Sequence, residues 1–271
     1  MKHFSERGWD VKGSYFSYAV DGLHYYNTLQ PEDAANFDVM AWQPDVIVHC
    51  GALTHVDYCE THEEESYTQT VQSTINIIKL SNDCNARMVY LSTDYVFDGK
   101  EGPYKEDDAI NPISVYGRHK LDAEQKVLAE VNGALVLRVT NIYGDEARGK
   151  NFVARIVQQC KDRAALKLKL PYDQFASPTN AFDIARAMFL LLRDTKVGVY
   201  HIGGTDYMNR VSLALRVLQY FPGATYELEA ISTEALQQPA ARPLNGGFVT
   251  AKFSREYPEF LFSNLDDYLS R

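Results

Sequence analysis

Six short apolar runs alternate with stretches of helical period: "VKGSYF" (11–16), "DVIVHC" (45–50), "RMVYLS" (87–92), "ALVLRV" (134–139), "LKLKL" (166–170) and "VYHIG" (199–203). In 68–80, Val71, Ile75 and Ile78 share one stripe; in 151–160, Phe152, Ile156 and Cys160 do the same, flanked by Val153 and Val157. Strands rich in Val, Ile and Leu, each followed by a helix, bury both of their faces. The pattern predicts an α/β fold, a doubly wound parallel sheet covered by helices on both sides. Beyond about residue 165 the strands thin out and loops such as "PYDQFASPTN" and "QQPAARPLNGG" lengthen. That half is expected to form a smaller C-terminal lobe contributing substrate contacts. The expected division is a core over 1–165, rejoined by 180–203, and a lobe made of 166–179 and 204–271.

A net charge of −9 argues against nucleic acid or an anionic membrane surface as the main partner. The longest apolar run, "AMFLLL", is too short to span a bilayer. No charged and apolar leader follows Met1, so a soluble cytoplasmic protein is expected. The four cysteines are irregularly spaced, with no CxxC, and Cys50 and Cys160 read as buried free thiols. The seven histidines do not cluster; His49 and His55 lack a carboxylate at ligand spacing, and no metal site is expected. "GDEARGKN" (144–151) nearly spells a phosphate-binding loop, but Asn151 replaces the hydroxyl and Asp145 and Glu146 would oppose phosphate. "EEE" (63–65) reads as charge complementing a helix start, and "HIGG" and "NGG" as turn glycines.

The chemistry sits in "STDYVFDG" (92–99), followed by "YGRHK" (116–120). The first closes a buried strand, and ligands bind at the carboxyl ends of such strands. The second opens a helix on which Tyr116 and Lys120, four residues apart, share a face. A tyrosine exchanging a proton with a carbonyl oxygen near neutral pH needs its pKa lowered, and a neighbouring ammonium does that. Lowering it by about 3 units takes roughly 4 kcal/mol of differential interaction. Thr93, at the strand end, is placed to hydrogen-bond the same oxygen.

These segments, with "PDVIVHCGALTHVDYCE" (44–60), "LRVTNIYG" (137–144), "DQFASPTNAFDIA" (173–185) and "ARPLNGGFVTAKF" (241–253), run nearly the length of the chain. In this order they resemble the extended short-chain dehydrogenase/reductases, and within them the dTDP-4-dehydrorhamnose reductase group. The resemblance implies a Rossmann-like fold, NADP or NAD as cofactor, and a nucleotide sugar reduced at its 4-keto carbon. It implies Thr93, Tyr116 and Lys120 as the catalytic set, with Tyr116 the proton donor and Lys120 also holding the nicotinamide ribose. Cys50, Gly51, Ala52 and Leu53 would line the cofactor, and Thr140 and Asn141 would flank the nicotinamide. Asp94 and Tyr95 would face the sugar, and Arg242 would lie near the nucleotide end. A homodimer fits the same resemblance. So does an alternative role as a regulatory or binding subunit, because the family includes the non-catalytic beta subunit of methionine adenosyltransferase.

The departures are specific. Family members begin with a strand and a Gly-x-x-Gly-x-x-Gly turn whose backbone N–H groups meet the cofactor pyrophosphate. No such motif occurs in these residues, and "HFSERGWDVKGSYFS" aligns with the later half of the first helix and the second strand. By analogy with the doubly wound fold, about twenty residues and the first strand are expected to be absent. Thr70 stands where the family has Asn, and Ser73 where it has Gly. The second strand ends at Phe16-Ser17 without an acid for a ribose 2′-hydroxyl and without a nearby base for a 2′-phosphate. Without a central strand, either 11–16 and 45–50 pair directly or a gap lies between them. No strand is expected within residues 1–10.

Overall fold

The computed structural model describes residues 1–33, 37–146 and 148–271. The chain opens with a short helix, α1 (Lys2–Ser5), and a parallel two-strand pair, β1 (Ser14–Tyr15) and β2 (His24–Tyr25). Helix α2 (Val39–Trp42) leads into β3 (Val46–His49). Helices α3 (Val56–Thr61), α4 (Glu63–Tyr67) and α5 (Ser73–Asp83) follow, the last two joined by a π-turn over Thr68–Gln72. Then come β4 (Arg87–Thr93), α6 (Val115–Glu130) and β5 (Leu135–Val139). After β6 (Ile142–Tyr143) and α7 (Phe152–Lys161) lie β7 (Leu166–Pro171), β8 (Phe175–Ala176), β9 (Thr179–Asn180), α8 (Ala181–Arg193) and β10 (Gly198–His201). The remainder is β11 (Met208–Asn209), α9 (Arg210–Leu218), β12 (Tyr226–Ile231), α10 (Ala251–Glu256) and α11 (Leu265–Leu269). Among the described residues no helix is long and apolar enough to cross a membrane.

The main sheet has the order β10-β5-β4-β3, and every pairing in it is parallel. Strand alternation divides its side chains. Val89, Leu135, Leu137 and Val139 meet α8 through Ile184, Ala187 and Leu191. Met88, Tyr90 and Val136 meet α5 and α6 through Ile77, Ile78, Ala123 and Val127. A parallel sheet covered on both faces is the Rossmann-like architecture expected from the buried runs.

Of the two outcomes anticipated for the sheet, the gap is the one found. β1 pairs only with β2, and β3 has no hydrogen-bonded neighbour on its outer side among the described residues. No strand forms within residues 1–10. Side chains rather than a ladder hold this region. Phe4, Trp9 and Val11 enter the α8-side core, Tyr26 enters the other, and Trp42 Nε1 donates to Asp10 Oδ2 at 3.1 Å. The open edge leaves Val48 41% exposed, and it corrects the expectation for Cys50. That thiol is exposed, at the end of a strand with no hydrogen-bonded neighbour on its outer side among the described residues, whereas Cys160 is buried as expected.

The smaller lobe contains a strand that the sequence reading missed. β12 pairs in parallel along the full length of β7. Lys167 and Lys169 lie opposite Glu227 and Glu229, with Nζ–O distances of 3.9 and 3.4 Å. The stripe Val153, Ile156 and Cys160 of α7 packs with Leu166, Leu213 and Val217. Phe253 of α10 returns to the main core. In both cases an amphipathic helix follows the apolar surface that can cover its stripe, not its neighbours in sequence.

Candidate active site

Thr93 ends β4, and its hydroxyl accepts the Tyr95 N–H at 3.3 Å, capping the turn Asp94–Val96. Helix α6 starts beside this turn. Its N-cap Ser114 accepts from Gly117 N at 3.2 Å, and Val115 N donates to Glu60 Oε2 at 2.9 Å. Gly117 is what allows the approach: a Cβ there would lie 2.3 Å from the Tyr95 carbonyl oxygen. The close contact sets the Tyr116 ring edge-on to Tyr95, with centroids 5.4 Å apart, and within hydrogen-bonding influence of Thr93.

Lys120 is buried. Its Nζ donates to the Leu91 carbonyl at 2.6 Å and lies 4.1 Å from the centre of the Tyr90 ring. Burial lowers its pKa to about 7, opposed by Cys50 and Glu124. The expected effect of Lys120 on Tyr116 is corrected here. Burial pushes the Tyr116 phenol above its ordinary value, Thr93 works against that, and Tyr95 and Asp94 add to it. Lys120 already has a carbonyl and an aromatic face as partners. Tyr116 therefore stands as a protonated phenol, the form a proton donor requires.

The other expected site residues divide into two groups. Asp94 is buried and faces the protein rather than an open cleft. Its Oδ2 accepts from Thr140 Oγ1 at 2.7 Å and Gly247 N at 3.2 Å, and a Cβ on Gly246 would lie 2.6 Å from it. Asp94 thus pins the lobe segment 245–248 to the sheet, and Thr140 is held by the same contact. Burial raises the Asp94 pKa. Asn141, with a left-handed φ of 41°, accepts from Arg210 Nη2 at 2.6 Å. Cys50, Gly51, Ala52 and Leu53 follow directly on β3. Leu53 N donates to Thr70 Oγ1 at 3.2 Å, so Thr70 fastens this loop. Arg242 donates through Nη2 to Asp57 Oδ2 at 2.8 Å, while its Nη1 is buried with no hydrogen-bond partner among the described residues.

Sequence reasoning missed Arg210 and Phe152. The Arg210 guanidinium lies 5.2 Å from the Phe152 ring centre, and the two line a cleft of about 190 Å³ with Asn141, Lys150 and Asn151. Phe152 was counted as a core residue because its spacing fits the helical stripe; nothing local marks Arg210. In the discounted stretch, Glu146 accepts from the amides of Arg148 and Asn151, donors a phosphate would otherwise use.

Two buried histidines make stability depend on pH. His49 Nε2 has no hydrogen-bond partner among the described residues, and His201 accepts at Nε2 from Arg138 Nη1 (3.2 Å). Burial first, then Lys120 for His49 and Arg138 for His201, lowers both pKa values to about 3. Below pH 6.5 the unfolded chain binds protons at these positions that the folded chain refuses. Unfolding free energy is therefore expected to fall with pH, by about 1.4 kcal/mol per histidine between pH 7.5 and 5.5. Urea titration at the two pH values checks the sum of roughly 3 kcal/mol.

A parallel sheet, Thr93 at the carboxyl end of β4, and Tyr116 and Lys120 on the helix packed beside it are an arrangement of the short-chain dehydrogenase/reductase type. The chain belongs to the RmlD substrate binding domain family, whose model matches residues 4–261. It is 34% identical to dTDP-4-dehydrorhamnose reductase of Salmonella typhimurium over 92% of this chain and 88% of that one. It is 31% identical to methionine adenosyltransferase 2 subunit beta of Xenopus laevis, over 86% of this chain and 71% of that one. Its fold resembles dTDP-4-dehydrorhamnose reductase of Bacillus anthracis in complex with NADP, with a TM-score of 0.77 and 28% identity. That comparison covers 86% of this chain and 81% of the other.

The donor set tests the fit of a nicotinamide cofactor. A phenol, an ammonium and a threonine hydroxyl around the end of β4 suit the nicotinamide and its ribose. The described residues beside the gap between β1 and β3 include no glycine turn for the pyrophosphate.

Proposed function

We propose that this chain is an NAD(P)H-dependent reductase of a 4-keto nucleotide sugar, with a dTDP sugar as the substrate class. The observation that carries the reading is Tyr116, edge-on to Tyr95 beside the turn that Thr93 caps, one helical turn before the buried Lys120. The nicotinamide cofactor would supply the hydride to the carbonyl carbon. Tyr116 would give its proton to the carbonyl oxygen, and the Thr93 hydroxyl would hold that oxygen in place. Lys120 would bind the nicotinamide ribose, with Cys50, Gly51, Ala52 and Leu53 alongside. Arg242, whose Nη1 has no hydrogen-bond partner among the described residues, and Arg210 would offer guanidinium donors to a diphosphate.

The test is loss of reduced-nicotinamide absorbance with dTDP-4-dehydrorhamnose, alongside fluorescence titration with NADPH and NADH. Turnover with one of the two, and micromolar binding, is expected. No binding and no turnover would favour a second reading, a non-catalytic subunit. The similarity to methionine adenosyltransferase 2 subunit beta and the use of Thr70 to fasten the loop at Leu53 support that alternative.

A further inference from the structure

Glu124 follows Lys120 by four residues on α6, shares its face, and is 1% exposed. Its Oε2 accepts from Ser92 Oγ at 2.6 Å and from Arg138 Nε at 3.2 Å, and its Oε1 accepts from Arg138 Nη2 at 2.6 Å. Arg138, also 1% exposed, lies on β5 one residue before Val139. Its Nη1 meets His201 Nε2 at 3.2 Å. A guanidinium only donates, so Nε2 accepts and Nδ1 carries the proton, which it gives to the Tyr104 carbonyl at 2.9 Å. Every group in this chain of contacts has a partner. One carboxylate thereby ties the helix bearing Tyr116 and Lys120 to Ser92, the neighbour of Thr93, and to the next strand of the sheet.

We propose that Glu124 is a positioning residue, its buried carboxylate holding α6 in register with β4 so that Tyr116 and Thr93 converge on one oxygen. This rests on the reductase reading. A buried ion pair is weak support for stability, because similarly sized apolar residues often replace one without loss. Geometry is the stricter demand: a misplacement of about 1 Å at a reacting group costs on the order of 10²-fold in rate.

Three variants separate the roles: Glu124→Gln, Glu124→Asp and the apolar pair Glu124→Leu/Arg138→Met. Positioning predicts that kcat falls roughly 10- to 100-fold in all three, with the sugar KM within about threefold. The apolar pair is expected to melt near the parent temperature while staying slow. Full turnover in the apolar pair, or rescue by the shorter Glu124→Asp, overturns the proposal. A second measurement does not need turnover. The pH midpoint for acylation of Lys120, read by mass spectrometry, is expected to drop in Glu124→Gln, since the variant removes a carboxylate that supports its charge. If the parent chain fails to reduce the sugar, the reductase reading fails, and this midpoint alone judges Glu124: an unmoved value overturns its link to Lys120.

Discussion

Replacing Tyr116 with phenylalanine is expected to lower kcat by about 10²–10⁴-fold, the range a positioned proton donor supplies. Only the hydroxyl is removed. The ring is partly exposed and keeps its edge-on contact with Tyr95, so the melting temperature is expected to stay within about 2 °C. The state of the phenol sharpens the expectation. Because its pKa is raised, the side chain is protonated across the neutral range, and the variant loses the donor at every pH at which the parent works. A steady-state assay paired with a thermal melt is decisive. A variant retaining more than about a tenth of the parent rate would mean that the proton comes from another group.

Phe253→Ala is expected to destabilise the fold by about 3–5 kcal/mol, the cost of truncating a fully buried aromatic residue. Phe253 has no exposed surface and stands 4.9, 5.0 and 5.6 Å, ring centre to ring centre, from Tyr257, Phe260 and Phe262. Together they close the core over Met188 and Leu191 of α8. For a domain of this size the loss corresponds to a fall of roughly 6–20 °C in melting temperature. The loop just before α10 donates Gly247 N to Asp94, so a loosened Phe253 also frees the clamp between lobe and sheet. Denaturant unfolding measures the change, and a loss below about 1 kcal/mol would show that the aromatic cluster repacks around the space.

The strands of the sheet were legible because burial on both faces forces a run of β-branched and aliphatic residues that little else in a soluble chain produces. Tyr116 and Lys120 were legible because a four-residue spacing on a helix is a local matter. β12 was not, because its residues are mostly exposed and its partner β7 lies some sixty residues earlier. Arg210 and Gly117 were equally hidden, one reaching Asn141 from another element and the other important for the side chain it lacks.

Patterns of period two and 3.6 are properties of consecutive residues, so the residue order alone determined the parallel α/β layering and the trio Thr93, Tyr116 and Lys120. The state of that trio was decided by contacts between distant segments. Burial raises the Tyr116 pKa, the Leu91 carbonyl and the Tyr90 ring take the ammonium of Lys120, and Asp94 is drawn inward by Thr140 and Gly247. The open edge of β3 exposes Cys50. Desolvation and hydrogen-bond partnership depend on what surrounds a group in space, and only the assembled fold defines those surroundings.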